Sequence, residues 1–169
     1  MDHFKNSTVH QFPDISKVTF HKIHKDYLKV LLMTIVTVMI VVFVGLFFLI
    51  QYNLNEAIPE YTTYLYVGVS IVFLLIIIFS IIGFSRRAYA IRDKDISYKS
   101  GVLIKKITTV PFSRIQHVEI DEAPISRLFN LAAISVFTAG DSSDDLVIKG
   151  LKKEETYKIK EFITEKINE

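Results

Sequence analysis

The stretch that decides the fold is VLLMTIVTVMIVVFVGLFFLI, residues 30–50, which has no charged side chain in 21 residues. A second uncharged stretch of the same length, YLYVGVSIVFLLIIIFSIIGF, occupies residues 64–84. As a helix, each stretch reaches roughly 30 Å, the thickness of a bilayer's hydrocarbon core. The other 127 residues could not wrap two helices that are apolar on every side. The sequence therefore predicts a hairpin of two transmembrane helices over residues 30–84.

The charges beside these stretches predict the orientation of the hairpin. Residues 1–29 carry five lysines, whereas the connection over residues 51–63 carries two glutamates and no Lys or Arg. Arg86 and Arg87 follow the second stretch directly. Positive residues favour the inner side of a membrane. We therefore expect a multi-pass protein of the cytoplasmic membrane, with both termini in the cytoplasm and residues 51–63 as the outer loop.

The N-terminal segment, residues 1–29, has a mixed pattern. From Asp14, a candidate N-cap, apolar residues recur at loosely helical spacing with lysines between them. This pattern predicts an amphipathic helix that lies on the inner membrane surface and leads into the first span. A short strand through Val18 and Phe20 is the alternative.

Residues 85–169 change in character and predict a small β-rich cytoplasmic domain. Five or six short segments have the alternation or β-branched content of strands. They lie at residues 86–92, 96–98, 102–110, 115–120, 133–139 and 146–148. A polar hairpin tip over residues 140–144 connects the last two, and a helical pattern with Ile159 and Ile163 on one face ends the chain. We expect a curved antiparallel sheet or partial barrel that this helix closes.

Several motifs in this domain resemble a known family. RxYxI begins at Arg87, SGVL at Ser100, TVPxxRIQxV at Thr109, PxxRxFxLA at Pro124 and TAG at Thr138. In this order they resemble the bacterial pleckstrin-homology (PH) domain of YdbS-like membrane proteins, in which a helical hairpin also precedes the domain. Asn130 stands where that family usually has Gly. Since Asn tolerates positive φ better than most residues, a left-handed turn is expected to persist there.

The resemblance implies both a fold and a type of function. The fold would be a PH-like split barrel of about seven antiparallel strands in two sheets, capped by the C-terminal helix. Family members resemble membrane-anchored binding or assembly modules and are often paired with a larger partner that carries several such domains. Some relatives are associated with tolerance of membrane-active peptides.

The sequence contains no recognisable catalytic or metal-binding motif. It has no cysteine, no phosphate-binding glycine loop and no HExxH motif. We therefore expect a protein that is not an enzyme, with no catalytic residue, no cofactor and no metal. A net charge of only +2 also argues against nucleic acid as a partner.

Three lysines around the second turn of the domain are the candidate lipid contacts. Lys99, Lys105 and Lys106 flank the Ser100-Gly101 turn. Basic residues near an anionic inner leaflet contribute roughly 1 kcal/mol each. The alternative is that they form a solvated strand face, and the sequence does not separate the two.

Three residues of the family motifs are candidates for a structural or recognition role. If the strand alternates regularly, Gln116 shares a face with Val118 and would need buried hydrogen-bond partners. Arg114 precedes it in the same motif, and structural hydrogen bonding competes with ligand binding as the reason for both. Arg127 lies in the short helical segment, where it can pair with a nearby carboxylate: Glu119, Asp121 or Glu122.

These features support three hypotheses on function. The first is a non-enzymatic membrane-anchored scaffold whose PH-like domain assembles with another membrane protein or with a second copy of the chain. The second is a sensor of the anionic lipid surface, with membrane lipids as the partner. The third is an accessory subunit of a transporter or membrane enzyme. Neither span contains a charged residue for an ion or proton path, which disfavours the third.

Overall fold

The computed structural model describes residues 18–52, 58–140 and 145–168. Its elements are β1 (His21–Lys22), α1 (Tyr27–Tyr52), α2 (Ile58–Ser85), β2 (Ala88–Ile91), β3 (Asp95–Ser100), β4 (Lys106–Pro111), a 3-10 turn (Phe112–Arg114), β5 (Ile115–Asp121), α3 (Pro124–Leu128), β6 (Leu131–Thr138), β7 (Leu146–Lys152) and α4 (Lys153–Asn168). Residues 53–57 of the predicted outer loop, the predicted N-cap Asp14 and the predicted hairpin tip beyond Gly140 lie outside the described residues.

Two long apolar helices, α1 and α2, contain the predicted spans. Apart from the first turns of α1, few of their described side chains are buried, so they are not the core helices of a water-soluble domain. They pack against each other through aromatic rings; Phe43 lies 5.8 Å from Tyr66 and 6.4 Å from Phe73 between ring centroids. The hydroxyls of Thr34 and Ser70 donate to carbonyls four residues earlier, each at 2.8 Å. Such bonds satisfy polar groups where lipid offers no partner.

The strands form two antiparallel sheets in the described part of the chain. Strands β1-β2-β3-β4 make the first sheet and β5-β6-β7 the second. Helix α4 packs on the second sheet and buries Ile159 and Ile163, so the predicted split barrel with a C-terminal helical cap is confirmed. The predicted left-handed residue is also present, because Asn130 has φ 53° at the turn between α3 and β6.

The N-terminal segment differs from the predicted interfacial helix. Residues 18–26 are not helical, and α1 begins only at Tyr27. Instead, His21 and Lys22 pair with Tyr89 and Ala88 of β2. The physical reason is that Ile23, which the helix would have placed on the membrane surface, is buried in the core of the domain. The strand alternative was closer to the structure, although the strand lies just after Phe20.

Two further segments depart from simple strand alternation. The predicted strand over residues 102–110 begins only at Lys106, because Gly101 turns the chain with φ 111° and the next residues find no core. In β5 a register shift between Ile115 and His117 breaks the alternation. Consequently Ile115 and Val118 point inwards, and Gln116 lies exposed instead of on the buried face.

Candidate functional site

The PH-like domain and α1 share one hydrophobic core. Ile23, Tyr27 and Val30, just before and within the first turn of α1, are buried among the strands of the domain. The backbone N–H of His24 donates to the carbonyl of Gly150 on β7 at 2.8 Å. Gly150 has φ 83°, and a Cβ added there would lie 2.4 Å from Cγ of Tyr27. The Tyr27 ring therefore lies directly on the Gly150 backbone. This contact attaches the domain to the start of α1, and we call it the joint.

Arg87 completes the joint from the α2 side. Its guanidinium carbon lies 5.6 Å from the centroid of the Tyr27 ring, and its Nη1 donates to the Tyr27 hydroxyl at 3.4 Å. Burial raises the pKa of Tyr98, and the nearby positive charge of Arg87 partly opposes that rise. The start of α1 and the residue that follows α2 by two positions therefore contact each other against the domain at one place.

A basic groove opens beside this joint, where α2 ends. In the first sheet Lys22, Ala88 and Lys99 are direct cross-strand neighbours, so their side chains lie on one face in a row. The small side chain of Ala88 leaves a depression between the two lysines. Phe20 forms one wall, with the Lys99 ammonium 5.9 Å from its ring centroid.

The turn between β3 and β4 supplies the other wall of this groove. A Cβ on Gly101 would lie 1.8 Å from the carbonyl oxygen of Ile104, so only glycine permits this turn. Arg86, at the end of α2, donates from Nη1 to the carbonyl of Val102 at 2.6 Å and ties the turn to the helix. Lys105 also lines the groove, which has a volume of about 460 Å³.

The groove has a strongly positive character. Lys22, Arg86, Lys99 and Lys105 line it, and none of the described residues that line it is acidic. Among the described residues, none of these four forms an ion pair with a carboxylate. Four unneutralised cations around one depression suit a phosphate-bearing group.

The structure divides the three predicted lipid contacts between two places. Lys99 and Lys105 line the basic groove, whereas Lys106 lines a neighbouring groove of about 320 Å³ between β4 and the second sheet. Arg114 lines that second groove as well, together with Thr109 and Thr138. Its backbone carbonyl accepts a hydrogen bond from Ala139 N–H at 2.9 Å, which joins the 3-10 turn to the end of β6.

The remaining motif residue, Arg127, faces a small ion-pair cluster. Its Nε lies 3.7 Å from Glu122, one of the three predicted partners, and Lys153 approaches the same carboxylate at 2.8 Å. The hydrogen bond to Glu122 raises the pKa of Lys153. Arg127 is itself largely exposed, so this pair is weak.

A third groove lies on the other side of the joint, beside the start of α1. It has a volume of about 680 Å³. Phe129 and Tyr157 give it apolar walls, and charged residues from the segment before α1, from β7 and from α4 surround them. One of these is Asp26, whose pKa is lowered chiefly by a hydrogen bond from Lys29. The groove is therefore apolar at its walls and mixed in charge at its rim, unlike the basic groove.

Sequence reasoning missed several members of these sites. Lys22 joins the basic groove only through the two-residue strand β1, which carries no detectable pattern of its own. From its position after the second span, Arg86 was expected only to set the orientation in the membrane. It also donates a hydrogen bond to the β3–β4 turn. Leu103 and Ile104 read as strand residues, yet they are 85% and 82% exposed at the tip of that turn. The run of apolar residues directly after Ser100-Gly101 was the signal that could have shown this tip.

Comparison with known proteins agrees with the fold. A profile of the bacterial PH domain family matches residues 28–167. The chain is 25% identical over 121 residues to the UPF0699 transmembrane protein YdbT of Bacillus subtilis (strain 168), a match that covers 71% of this chain and 24% of that protein. It is 28% identical over 76 residues to the UPF0699 transmembrane protein YdbS of the same organism, covering 45% of this chain and 46% of that protein. The chain thus spans less than half the length of either relative. No solved structure matches it significantly. The two apolar helices and the similarity to these transmembrane proteins together identify the chain as a membrane protein.

Proposed function

Because the chain belongs to the bacterial PH domain family, we propose that it is a non-enzymatic, membrane-anchored module that binds anionic lipid head groups in its basic groove. The observation that carries this proposal is the position of the groove. Its four cations lie around the C-terminal end of α2, where an inserted α2 would meet the head-group phosphates. The geometry thereby favours the lipid-surface hypothesis over partner assembly, which the sequence alone placed first.

The proposal includes a topology. Both helices cross the bilayer, and the termini and the PH domain lie in the cytoplasm. The support is that the start of α1 and the end of α2 meet at the domain, where lysines and arginines concentrate. The chain has no native cysteine, so single cysteines can report the sides. In intact cells a membrane-impermeant maleimide should label Tyr61→Cys and leave Ser113→Cys unlabelled; the reverse pattern would overturn this topology.

The number of cations removed from the basic groove sets the expected loss of lipid-binding free energy. A basic residue at an anionic surface contributes roughly 1 kcal/mol. Removing two of the four cations should therefore cost about 2 kcal/mol, which corresponds to roughly 30-fold in affinity. Lys99→Gln combined with Lys105→Gln is the suitable pair, because neither lysine makes an ion pair with a carboxylate in the described structure.

The test uses the full-length protein in a neutral detergent. Thermal unfolding is followed while phosphatidylglycerol, phosphatidylcholine or inorganic phosphate is added, since a ligand of the folded state raises Tm. We expect a saturable, salt-sensitive increase with phosphatidylglycerol that the Lys99→Gln, Lys105→Gln protein largely loses. Lys94→Gln combined with Lys158→Gln removes the same charge from exposed positions away from the groove and should keep the increase. Equal stabilisation by phosphatidylcholine, or equal loss in the control, would refute the proposal.

A cellular consequence follows from the same chemistry. Cationic membrane-active peptides bind the anionic head groups that this groove would hold. Removing the charge of Lys99 and Lys105 should therefore change the survival of cells exposed to such peptides, and the control pair should not. Unchanged survival with both variants would show that this protein has no role in peptide tolerance.

Assembly with another membrane protein is the second candidate function. The third groove favours it, because its walls expose the aromatic side chain of Tyr157 and the joint holds it at a fixed height above the bilayer. A partner that is itself embedded in the membrane suits such a fixed surface. A photo-crosslinking residue at Tyr157 should capture a specific membrane protein or a second copy of the chain, and one at Lys94 should not. Recovery of uncrosslinked monomer alone would reject this candidate.

A further inference from the structure

The tip of the β3–β4 turn combines two features that are unfavourable in water. Leu103 and Ile104 stand side by side, and each exposes more than four-fifths of its surface. No other pair of neighbouring large apolar residues in the described part of the PH domain is exposed to this degree. Adjacent exposed apolar side chains of this kind mark a contact with an apolar phase or a partner.

The depth of this tip follows from its contacts with α2. A Cβ on Gly83, near the inner end of the second span, would lie 2.9 Å from Cγ2 of Val102. One turn further on, Arg86 donates to the carbonyl of the same Val102. Val102 therefore lies level with the last apolar turn of α2, so the apolar pair lies close to the level at which an inserted α2 would leave the hydrocarbon core.

The charges around the tip match this depth. Lys105 follows the apolar pair directly, and Lys99 lies on the strand before it. Both lysines therefore reach the head-group level when the apolar pair lies deeper in the bilayer than they do. Lysine side chains commonly place an apolar stem in the interface and the ammonium at the phosphates. An apolar tip with flanking cations is the arrangement expected of a loop that enters an anionic leaflet.

We propose that Leu103 and Ile104 insert into the acyl-chain region of the inner leaflet as a third point of attachment beside α1 and α2. This deepens the proposed function, because it makes the ligand of the basic groove a lipid of the same bilayer instead of a soluble phosphate. The occupant of the tip is the membrane itself, and continuity with the apolar surface of α2 supports that assignment.

The absence of tryptophan from the chain allows a direct test. The full-length Ile104→Trp protein is reconstituted into bilayers of phosphatidylcholine, alone or mixed with phosphatidylglycerol, with bromine on the upper part of the acyl chains. We expect blue-shifted emission and loss of fluorescence through bromine quenching. Lys94→Trp, on the turn at the other end of β3, should emit as an exposed residue and remain unquenched.

A second substitution shows whether insertion depends on the apolar pair. Adding Leu103→Asp to the Ile104→Trp reporter should reduce the quenching, whereas adding Val147→Asp on an exposed position of β7 should leave it unchanged. Water-like emission without quenching in both bilayers would overturn the insertion. Blue-shifted emission without quenching would overturn it as well, since a protein surface would then cover the tip.

The two proposals can fail separately. Quenching in pure phosphatidylcholine supports insertion even if phosphatidylglycerol has no special effect on Tm, in which case only the head-group function fails. Stabilisation by phosphatidylglycerol with an unquenched tryptophan leaves the groove as a lipid site and rejects the inserted tip.

Discussion

Gly150→Ala should weaken the joint between the membrane helices and the PH domain. The new Cβ would meet Cγ, Cβ and Cδ1 of Tyr27 at 2.4, 2.8 and 2.9 Å, so the tyrosine must move. Forcing a residue with a Cβ into the left-handed region costs about 1–2 kcal/mol. Displacing a packed ring adds about 1–3 kcal/mol. The free energy of unfolding should therefore fall by about 2–5 kcal/mol, and Tm should fall by several degrees in detergent.

The chain supplies its own controls for this substitution. Gly45 and Gly68 lie inside the apolar helices with nothing within 4 Å of an added Cβ, so alanine there should leave Tm unchanged or raise it slightly. In a Tyr27→Ala background the steric part is absent, and Gly150→Ala should cost only the backbone part. A Gly150→Ala protein as stable as wild type, or an equal cost with and without Tyr27, would refute the reasoning.

Four further substitutions test the core and its turns. Burial, with a hydrogen bond to Glu155 and the charge of that residue, raises the pKa of Tyr89 above its usual value of about 10. Because the folded protein favours the protonated phenol of Tyr89 more than the unfolded chain does, the contribution of Tyr89 to the free energy of unfolding is complete below about pH 10 and lost as the pH rises further. Tyr89→Phe should therefore flatten the decline of stability in alkaline titrations, and an unchanged slope would contradict this. Asn130→Ala should lower stability by about 1 kcal/mol through its positive φ, measured by thermal unfolding, and no loss would show that the left-handed turn is not maintained. Ile134→Ala should cost about 2–5 kcal/mol, whereas Ile104→Ala in detergent should change stability by less than about 0.5 kcal/mol; similar costs would contradict the burial of one and the exposure of the other.

The helical hairpin was predictable because its signal is local. Each span is decided by its own uncharged residues, without reference to any other part of the chain. The left-handed Asn130 was predictable through the family resemblance, because the family usually has Gly at this position and Asn also tolerates positive φ. The number of strands in the domain was also predictable, because alternation is a local property. The residues at which the strands begin and end were not.

The joint could not be predicted because it brings distant residues together. Nothing near Tyr27 indicates that a glycine on β7 will receive its ring, and residues 18–26 have a spacing that fits an interfacial helix. The core of the domain captures Ile23 instead, and this tertiary burial outweighs the local pattern. The division at residue 85 was thus too simple, since the PH domain includes residues from both sides of the hairpin.

The candidate site was predicted only in part for the same reason. Lys99 and Lys105 were visible as charges beside a turn, but the row with Lys22 depends on pairing across β2. Gln116 was placed on the wrong face because a register shift in β5 cannot be read from alternation.

The central claim is that the PH domain is fixed to the membrane helices and holds its basic groove at the bilayer surface. The absence of native cysteine permits two spin labels, at Val38→Cys on the exposed side of α1 and at Glu119→Cys on β5. Pulsed electron paramagnetic resonance on the full-length protein in nanodiscs measures the distance between them. A fixed joint predicts a single narrow distance distribution. A broad distribution, as a domain on a flexible linker gives, would contradict the account.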